Sequence, residues 1–167
     1  MSVFLPIIEG LNAAKVEYVV VGGLATVFHG HARLTTDIDL VLRLERDNVE
    51  RAIAVVTDLG YVPRLPVPAA HFADDAIREE WIREKGLMVF SFFNRIRPTI
   101  SVDIFAQPPM DPEHLLSRSE WKALGSTQVR VCHFDDLLTM KENAGRAIDL
   151  EDVRRLKEIR DAGPLPS

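Results

Sequence analysis

The chain has one cysteine, no long apolar run and no excess of basic residues, and each shortage excludes a class of protein. Cys132 is the single cysteine among 167 residues, which excludes an internal disulfide and a cysteine-rich zinc site. No apolar run approaches the roughly 18 residues that span a bilayer. The first residues have neither a basic head nor a small-residue cleavage site, so no signal peptide is predicted. The simplest interpretation is a cytoplasmic protein with no membrane partner.

The net charge of −5 at pH 7 argues against a protein that coats nucleic acid by bulk attraction. A nucleic acid can still be a substrate, because a local basic patch can act against an acidic average. The turn that holds Arg95 and Arg97 is the best candidate for such a patch. The alternative interpretation of this turn is a solvated loop between two strands.

Length and composition are those of one globular domain. The chain is 47% hydrophobic and 27% charged, which is ordinary for a protein that buries a core. Its periodicity predicts strands at 18–21, 37–42, 61–65, 87–93, 99–105 and 128–131, and helices near the N-terminus and at 22–28, 47–59, 74–84, 112–117, 135–143 and 149–161. This pattern predicts an α+β fold in which helices pack on a mixed β-sheet. We expect a single domain over 1–162, with a helical C-terminal part from about 134 to 162 and a loose tail at 163–167.

Two aspartates lie two residues apart on the predicted strand 37–42. Because side chains at i and i+2 point to one face of a strand, about 6.6 Å apart, Asp37 and Asp39 project together. Ile38, Leu40 and Leu42 then point the other way, into a core. Mg²⁺ prefers a few carboxylate oxygens together with substrate phosphates, so this pair indicates a divalent-cation site.

A third acid lies on the predicted strand 99–105. Alternation places Ile100, Val102 and Ile104 on one face and Asp103 on the other. An acid in a β-rich run is costly to bury unless something pairs with it. If this strand pairs beside strand 37–42, Asp103 completes a three-carboxylate cluster that can hold two Mg²⁺ ions about 3.5–4 Å apart. Asp103 is then the candidate to accept or orient the proton of an acceptor hydroxyl.

A glycine pair, Gly22 and Gly23, stands between the first strand and the helix that follows it. Backbone amides at such a turn point outward and attract phosphate oxygens. His31 and Arg33, just ahead of the aspartate pair, could neutralise phosphate charge. Taken singly, each feature has a plainer interpretation: the glycine pair as a turn, and the acids as exposed strand residues. Their joint occurrence in this order favours a metal-ready site.

The arrangement resembles the nucleotidyltransferase superfamily of the DNA polymerase β type. More narrowly, the chain resembles the small bacterial nucleotidyltransferases related to the AbiEii toxins of type IV toxin–antitoxin systems. The matching segments are VVGGLA at 20–25, HG at 29–30, Arg33, TTDIDL at 35–40, DLLTMK at 136–141, AGR at 144–146 and DLED at 149–152. The similarity extends roughly from residue 15 to 160, and the middle of the chain is its least specific part.

The resemblance implies transfer of a nucleoside monophosphate from an NTP to a hydroxyl, with Mg²⁺ or alternatively Mn²⁺ as the cofactor. Carried over, Asp37 and Asp39 are the metal ligands and Asp103 is the third carboxylate. The residues assigned to nucleotide binding are Gly22, Gly23, Arg33, Thr36 and Lys141. Many superfamily members have Gly-Ser at the glycine pair, and Gly23 cannot supply that hydroxyl. The resemblance also implies an antitoxin partner.

The sequence leaves the roles of Lys141, Asp149 and Asp152 in the C-terminal segment open. In the toxin-like relatives a lysine and an aspartate from the C-terminal helices join the site, and Lys141 with Asp149 or Asp152 matches them. The alternatives are a solvated helix lysine and an N-cap arrangement at the start of a helix.

Two functions of different classes fit these residues. The first is a nucleotidyltransferase whose hydroxyl acceptor is RNA or a small molecule such as an antibiotic. The second is a catalytically silent nucleotide-binding or regulatory module of the same fold, which the missing serine and the short chain favour.

Overall fold

One mixed β-sheet organises the part of the chain that the structure describes. The computed structural model describes residues 2–96 and 99–163. Its strands are β1 (Tyr18–Val21), β2 (Asp37–Leu42), β3 (Tyr61–Pro63), β4 (Val89–Asn94), β5 (Ser101–Phe105), β6 (Glu120–Leu124) and β7 (Thr127–Val131). Their order across the sheet is β3-β4-β5-β2-β1-β7-β6. The β2–β5 and β1–β7 pairs are parallel and the other neighbours are antiparallel.

Helices pack against this sheet, which confirms the predicted α+β class. They are α1 (Leu5–Ala13), α2 (Gly22–Phe28), α3 (Arg46–Asp58), α4 (Asp75–Lys85), α5 (Pro112–Arg118), α6 (Phe134–Ala144) and α7 (Ala147–Ala162), with 3-10 turns at Ser2–Phe4 and Ala69–Ala73. Helix α6 packs on α2 and on α7. Helix α6 therefore lies against α2, which follows β1 directly, and α7 lies against α6.

The two central strands separate an apolar face from an acidic one. Ile38 and Leu40 of β2, with Val102 and Ile104 of β5, are fully buried. The alternate positions of both strands carry the aspartates. This pattern follows from the period-2 alternation of side chains, and it fixes the register because a one-residue slip would place the acids in the core.

Local signals explain where α4 begins and ends. Asp74 caps α4 by accepting a hydrogen bond of 3.1 Å from the Ile77 amide, and Gly86 ends α4 in the left-handed conformation at φ +62°.

Strand β6 was not predicted. Its sequence, Glu-Trp-Lys-Ala-Leu, has no β-branched residue, and it is a strand because it pairs along its length with β7 in a hairpin.

The basic turn and the tail are only partly within the described residues. Arg95 is exposed, whereas Arg97 lies outside the described residues, as do residues 164–167 of the predicted tail.

None of the helices in the described ranges combines the length and the apolar character that crossing a membrane requires.

Candidate active site

Three carboxylates converge where β2 and β5 run side by side. The parallel register places Asp39 opposite Asp103, and Asp37 precedes Asp39 by two residues on the same face of β2. One carboxylate oxygen of each residue lies within 4.8 Å of the others, and all three residues are half-buried. The predicted convergence is confirmed. We call Asp37, Asp39 and Asp103 the carboxylate trio.

The carboxylate trio is electrostatically strained. Burial, followed by the charges of Asp37 and Asp103, raises the pKa of Asp39 from 3.8 to about 7. Burial also raises the pKa of Asp103, although the hydrogen bond from the Ser91 side chain lowers that pKa in part. Burial, and to a smaller extent the mutual repulsion of the carboxylates, therefore disfavours the charged form of both groups.

One oxygen of the carboxylate trio lacks a protein partner. Asp103 Oδ1 is buried and makes no hydrogen bond, and it is alone in this among buried side-chain atoms of the described residues. A buried acceptor without a donor costs free energy unless another group satisfies it. A hard divalent cation fits this site, since it coordinates carboxylate oxygens and offsets their mutual repulsion.

The glycine turn (Gly22 and Gly23) packs directly against the carboxylate trio. A Cβ at Gly22 would overlap the carboxylate oxygen Oδ2 of Asp39, and Gly22 has φ +63°, so a side chain there is excluded twice over. The amide of Gly23 donates a hydrogen bond to the Asp39 carboxylate, which opposes the rise in the pKa of that group. The glycine turn therefore leaves room for the Asp39 carboxylate beside the end of β1. Sequence reasoning missed this role.

Three cations belong to the same site as the carboxylate trio: Arg33, Lys141 and Arg146, which we call the cation cluster. Lys141 is buried, and its Nζ lies 2.7 Å from Asp152 Oδ2 and 3.3 Å from Asp149 Oδ1. Arg33 Nη1 donates to the same Asp152 oxygen at 2.6 Å. Arg146 Nε donates to Asp149 Oδ2 at 2.6 Å.

These contacts decide between the alternatives that the sequence left open. Lys141 is not a solvated helix lysine. The N-cap position of α7 is Arg146, with no side-chain capping bond, so the capping interpretation of Asp149 and Asp152 is wrong. Burial raises the pKa of Asp149, but the hydrogen bond from Arg146 and the charge of Lys141 outweigh it and hold that pKa below its ordinary value. Both acids are counter-ions of the cation cluster.

A cleft of about 480 Å³ joins these groups. The carboxylate trio, the glycine turn and the cation cluster all line it. Its remaining wall is largely apolar and includes Val89, Phe105 and Ile148. A cleft lined by carboxylates, cations and apolar side chains can hold a cation, a phosphate chain and a flat organic group together.

The predicted nucleotide-binding residues differ in how they meet this cleft. Gly22, Gly23, Arg33 and Lys141 all line it. Thr36 is exposed and is not among the described residues of the lining, but its backbone amide donates to Asp37 Oδ1 at 3.3 Å.

Two polar residues of the site were not predicted. Arg146 could have been inferred from its spacing of three residues before Asp149, which brings the pair together at the start of a helix. Ser91 lies opposite Asp103 across the β4–β5 pair, and only the strand register reveals that neighbour.

Comparison with known proteins finds a family that covers most of the chain. The model of the family described as the nucleotidyl transferase AbiEii toxin of type IV toxin–antitoxin systems matches residues 10–159. A search of curated proteins by sequence gives no match.

Two solved structures share the fold. One is a protein of Thermotoga maritima assigned as a nucleotidyltransferase, with a TM-score of 0.58 and 15% identity, covering 95% of this chain and 92% of that one. The other is the lincosamide antibiotic adenylyltransferase LnuA with bound lincomycin, with a TM-score of 0.60 and 15% identity, covering 92% of this chain and 94% of that one.

Proposed function

Because the chain belongs to the AbiEii family of nucleotidyl transferases, we propose that it transfers a nucleoside monophosphate from an NTP to a hydroxyl group, with Mg²⁺ as cofactor. The observation that carries this proposal is that the carboxylate trio, with its partnerless Asp103 oxygen, lines the same cleft as the cation cluster. In the reaction, the acceptor oxygen bonds to the α-phosphorus and the bond to the pyrophosphate oxygen breaks. Pyrophosphate leaves.

The carboxylate trio has two roles in this proposal. Asp37, Asp39 and the partnerless Oδ1 of Asp103 would hold the metal, and the glycine turn keeps the Asp39 carboxylate at the end of β1. When bound, Mg²⁺ supplies positive charge to the triphosphate and to the attacking oxygen. Asp103 accepts the proton of the acceptor hydroxyl, and burial, which raises the pKa of its carboxyl, makes it a stronger base than an ordinary aspartate.

The cation cluster binds the triphosphate in this proposal. Among the described residues, two acids, Asp149 and Asp152, pair with its three positive charges, so one positive charge is left for an anion. Arg33 and Lys141 contact the phosphates, and Gly22 and Gly23 complete the phosphate site. Thr36, which does not line the cleft, supports the site through its hydrogen bond to Asp37. Because the counter-ions already fix the side chains, little conformational entropy is lost when the nucleotide binds.

The acceptor is a hydroxyl of an RNA or of a small molecule, such as the antibiotic named for LnuA. The family description further supports a type IV antitoxin as partner. We place the reaction in the cytoplasm, where NTPs are available.

Calorimetric titration with NTP tests the metal dependence. We expect the wild-type chain to bind NTP more tightly with Mg²⁺ than with EDTA, and Asp39→Ala to lose that difference. Asp58→Ala, at an exposed aspartate at the end of α3, is the matched control and should behave as wild type. Equal nucleotide affinity for wild type and Asp39→Ala would refute the metal site.

A labelling screen tests turnover. Wild type and Asp37→Ala are incubated with radiolabelled NTPs, Mg²⁺ or Mn²⁺, and total RNA, protein or a panel of antibiotics that includes lincomycin. Label that enters one class of acceptor with wild type alone supports transfer and identifies the acceptor. NTP binding without transfer to any acceptor indicates the catalytically silent module.

A further inference from the structure

Thr35 stands beside the carboxylate trio without belonging to it. Its hydroxyl Oγ1 lies 3.2 Å from both the backbone oxygen and Oδ1 of Asp37. The amide of Thr36 approaches the same Oδ1 at 3.3 Å. The Thr35 hydroxyl, whose single proton is shared between these two acceptors, and the Thr36 amide therefore both approach Oδ1 of Asp37 and leave its other carboxylate oxygen for a cation.

The hydroxyl of Thr35 also occupies the space above Gly23. A Cβ built on Gly23 would lie 2.9 Å from Thr35 Oγ1, closer than real Cβ contacts, and 3.5 Å from Thr35 Cβ. Unlike Gly22, Gly23 has no positive φ, so its backbone conformation does not require glycine. The Thr35 hydroxyl accounts for the missing side chain at position 23.

Asp37 needs such support because its neighbours repel it. Two other carboxylates have oxygens within 4.8 Å, and a free side chain would rotate away from them when all three are charged. Hydrogen bonds to one oxygen oppose that rotation. Groups of this kind, which hold a ligand rather than the metal, change metal affinity by about 10- to 100-fold when they are removed.

We infer that Thr35 is the positioning residue that holds Asp37 ready for a divalent cation, and that Gly23 lacks a side chain to leave room for the Thr35 hydroxyl. This inference rests on the proposed function, because it assumes that the carboxylate trio binds metal. It adds a residue pair, Thr35 and Gly23, whose substitutions should affect each other.

Mn²⁺ is a suitable probe, because its free and bound forms differ in electron paramagnetic resonance and no acceptor is needed. Thr35→Val keeps the shape of the side chain and removes the hydroxyl, so we expect about tenfold weaker Mn²⁺ binding. Thr35→Ser keeps the hydroxyl and should bind within about twofold of wild type. Thr57→Val, at an exposed threonine of α3, is the matched control and should leave the affinity unchanged.

A pair of double variants separates the hydroxyl from the space that it fills. Gly23→Ala alone should weaken Mn²⁺ binding, since its methyl group displaces Thr35 Oγ1. When Thr35→Ala removes that hydroxyl, a side chain at position 23 fits. The atom of residue 35 that remains near it is Cβ, and a Cβ at position 23 lies 3.5 Å from it. The double variant with Gly23→Ser regains a hydroxyl and should bind Mn²⁺ several-fold more tightly than the one with Gly23→Ala.

The outcomes distinguish this inference from the function on which it rests. If wild type does not bind Mn²⁺, or binds it no better than Asp39→Ala does, both are overturned. If Asp39→Ala loses Mn²⁺ while Thr35→Val binds as wild type, the role of Thr35 alone is overturned. Circular dichroism shows which variants are folded. Should Thr35→Val not fold, the comparison of the two double variants decides.

Discussion

Replacing Asp39 with asparagine is expected to stabilise the metal-free protein, increasingly so as the pH rises. Burial, together with the charges of Asp37 and Asp103, raises the pKa of Asp39 from 3.8 to about 7. The unfolded chain therefore releases this proton near pH 4 and the folded chain near pH 7. Between these values the folded state binds more protons, so the free energy of unfolding falls as the pH rises through this window. Asparagine has no such proton to release.

The size of the effect follows from the pKa. One pKa unit corresponds to about 1.4 kcal/mol, so a rise from 3.8 to about 7 amounts to about 4 kcal/mol once the pH exceeds both values. Part of this free energy of unfolding is already lost at pH 5, which lies above the pKa of Asp39 in the unfolded chain. The free energy still to be lost between pH 5 and pH 8 is about 2–3 kcal/mol.

Urea unfolding in EDTA at pH 5, 6, 7 and 8 measures this difference. The free energy of unfolding of Asp39→Asn, relative to wild type, should increase by about 2–3 kcal/mol across the series. Asp58→Asn, at the exposed end of α3, should show no such increase. A difference between Asp39→Asn and wild type that stays constant from pH 5 to pH 8 would refute the reasoning, because Asp39 would then titrate alike in both states.

Three further changes test other parts of the site. Asp152→Asn removes the buried counter-ion of Lys141 and Arg33, and urea unfolding should show a loss of about 3 kcal/mol. Gly22→Ala introduces a methyl group against the Asp39 carboxylate at a positive φ, and thermal unfolding should show a loss of more than about 1–2 kcal/mol. Mg²⁺ at about 100 times its dissociation constant should stabilise wild type at pH 8 by about 2.7 kcal/mol in the same assay, and should not stabilise Asp39→Asn.

The central strands and two of the three carboxylates were predictable because they depend on local patterns. The bounds of β1 and β2 follow from apolar runs that end at the glycine turn and at Leu42. The shared face of Asp37 and Asp39 follows from strand alternation alone. Asp103 required one further assumption, that β5 pairs beside β2, and the observed register confirms it.

The C-terminal part of the site depends on tertiary contacts, which no local pattern reveals. Lys141, Asp149 and Asp152 lie on two helices, and their side chains meet only because α6 and α7 pack together. From sequence, each has an equally good interpretation as a solvated or capping residue. The hydrogen bond of Arg33 to Asp152, across 119 positions, was likewise out of reach of spacing arguments.

The pairing of charges within the C-terminal helices explains why the carboxylate trio stays un-neutralised. Lys141 does not pair with Asp39, and its charge opposes the rise in the pKa of that carboxyl only weakly. Lys141 pairs with Asp149 and Asp152 instead. Among the described residues, no ion pair therefore neutralises the carboxylate trio, and the cation cluster keeps one positive charge beyond those of its two acids. A metal-bound triphosphate carries both charges in one ligand.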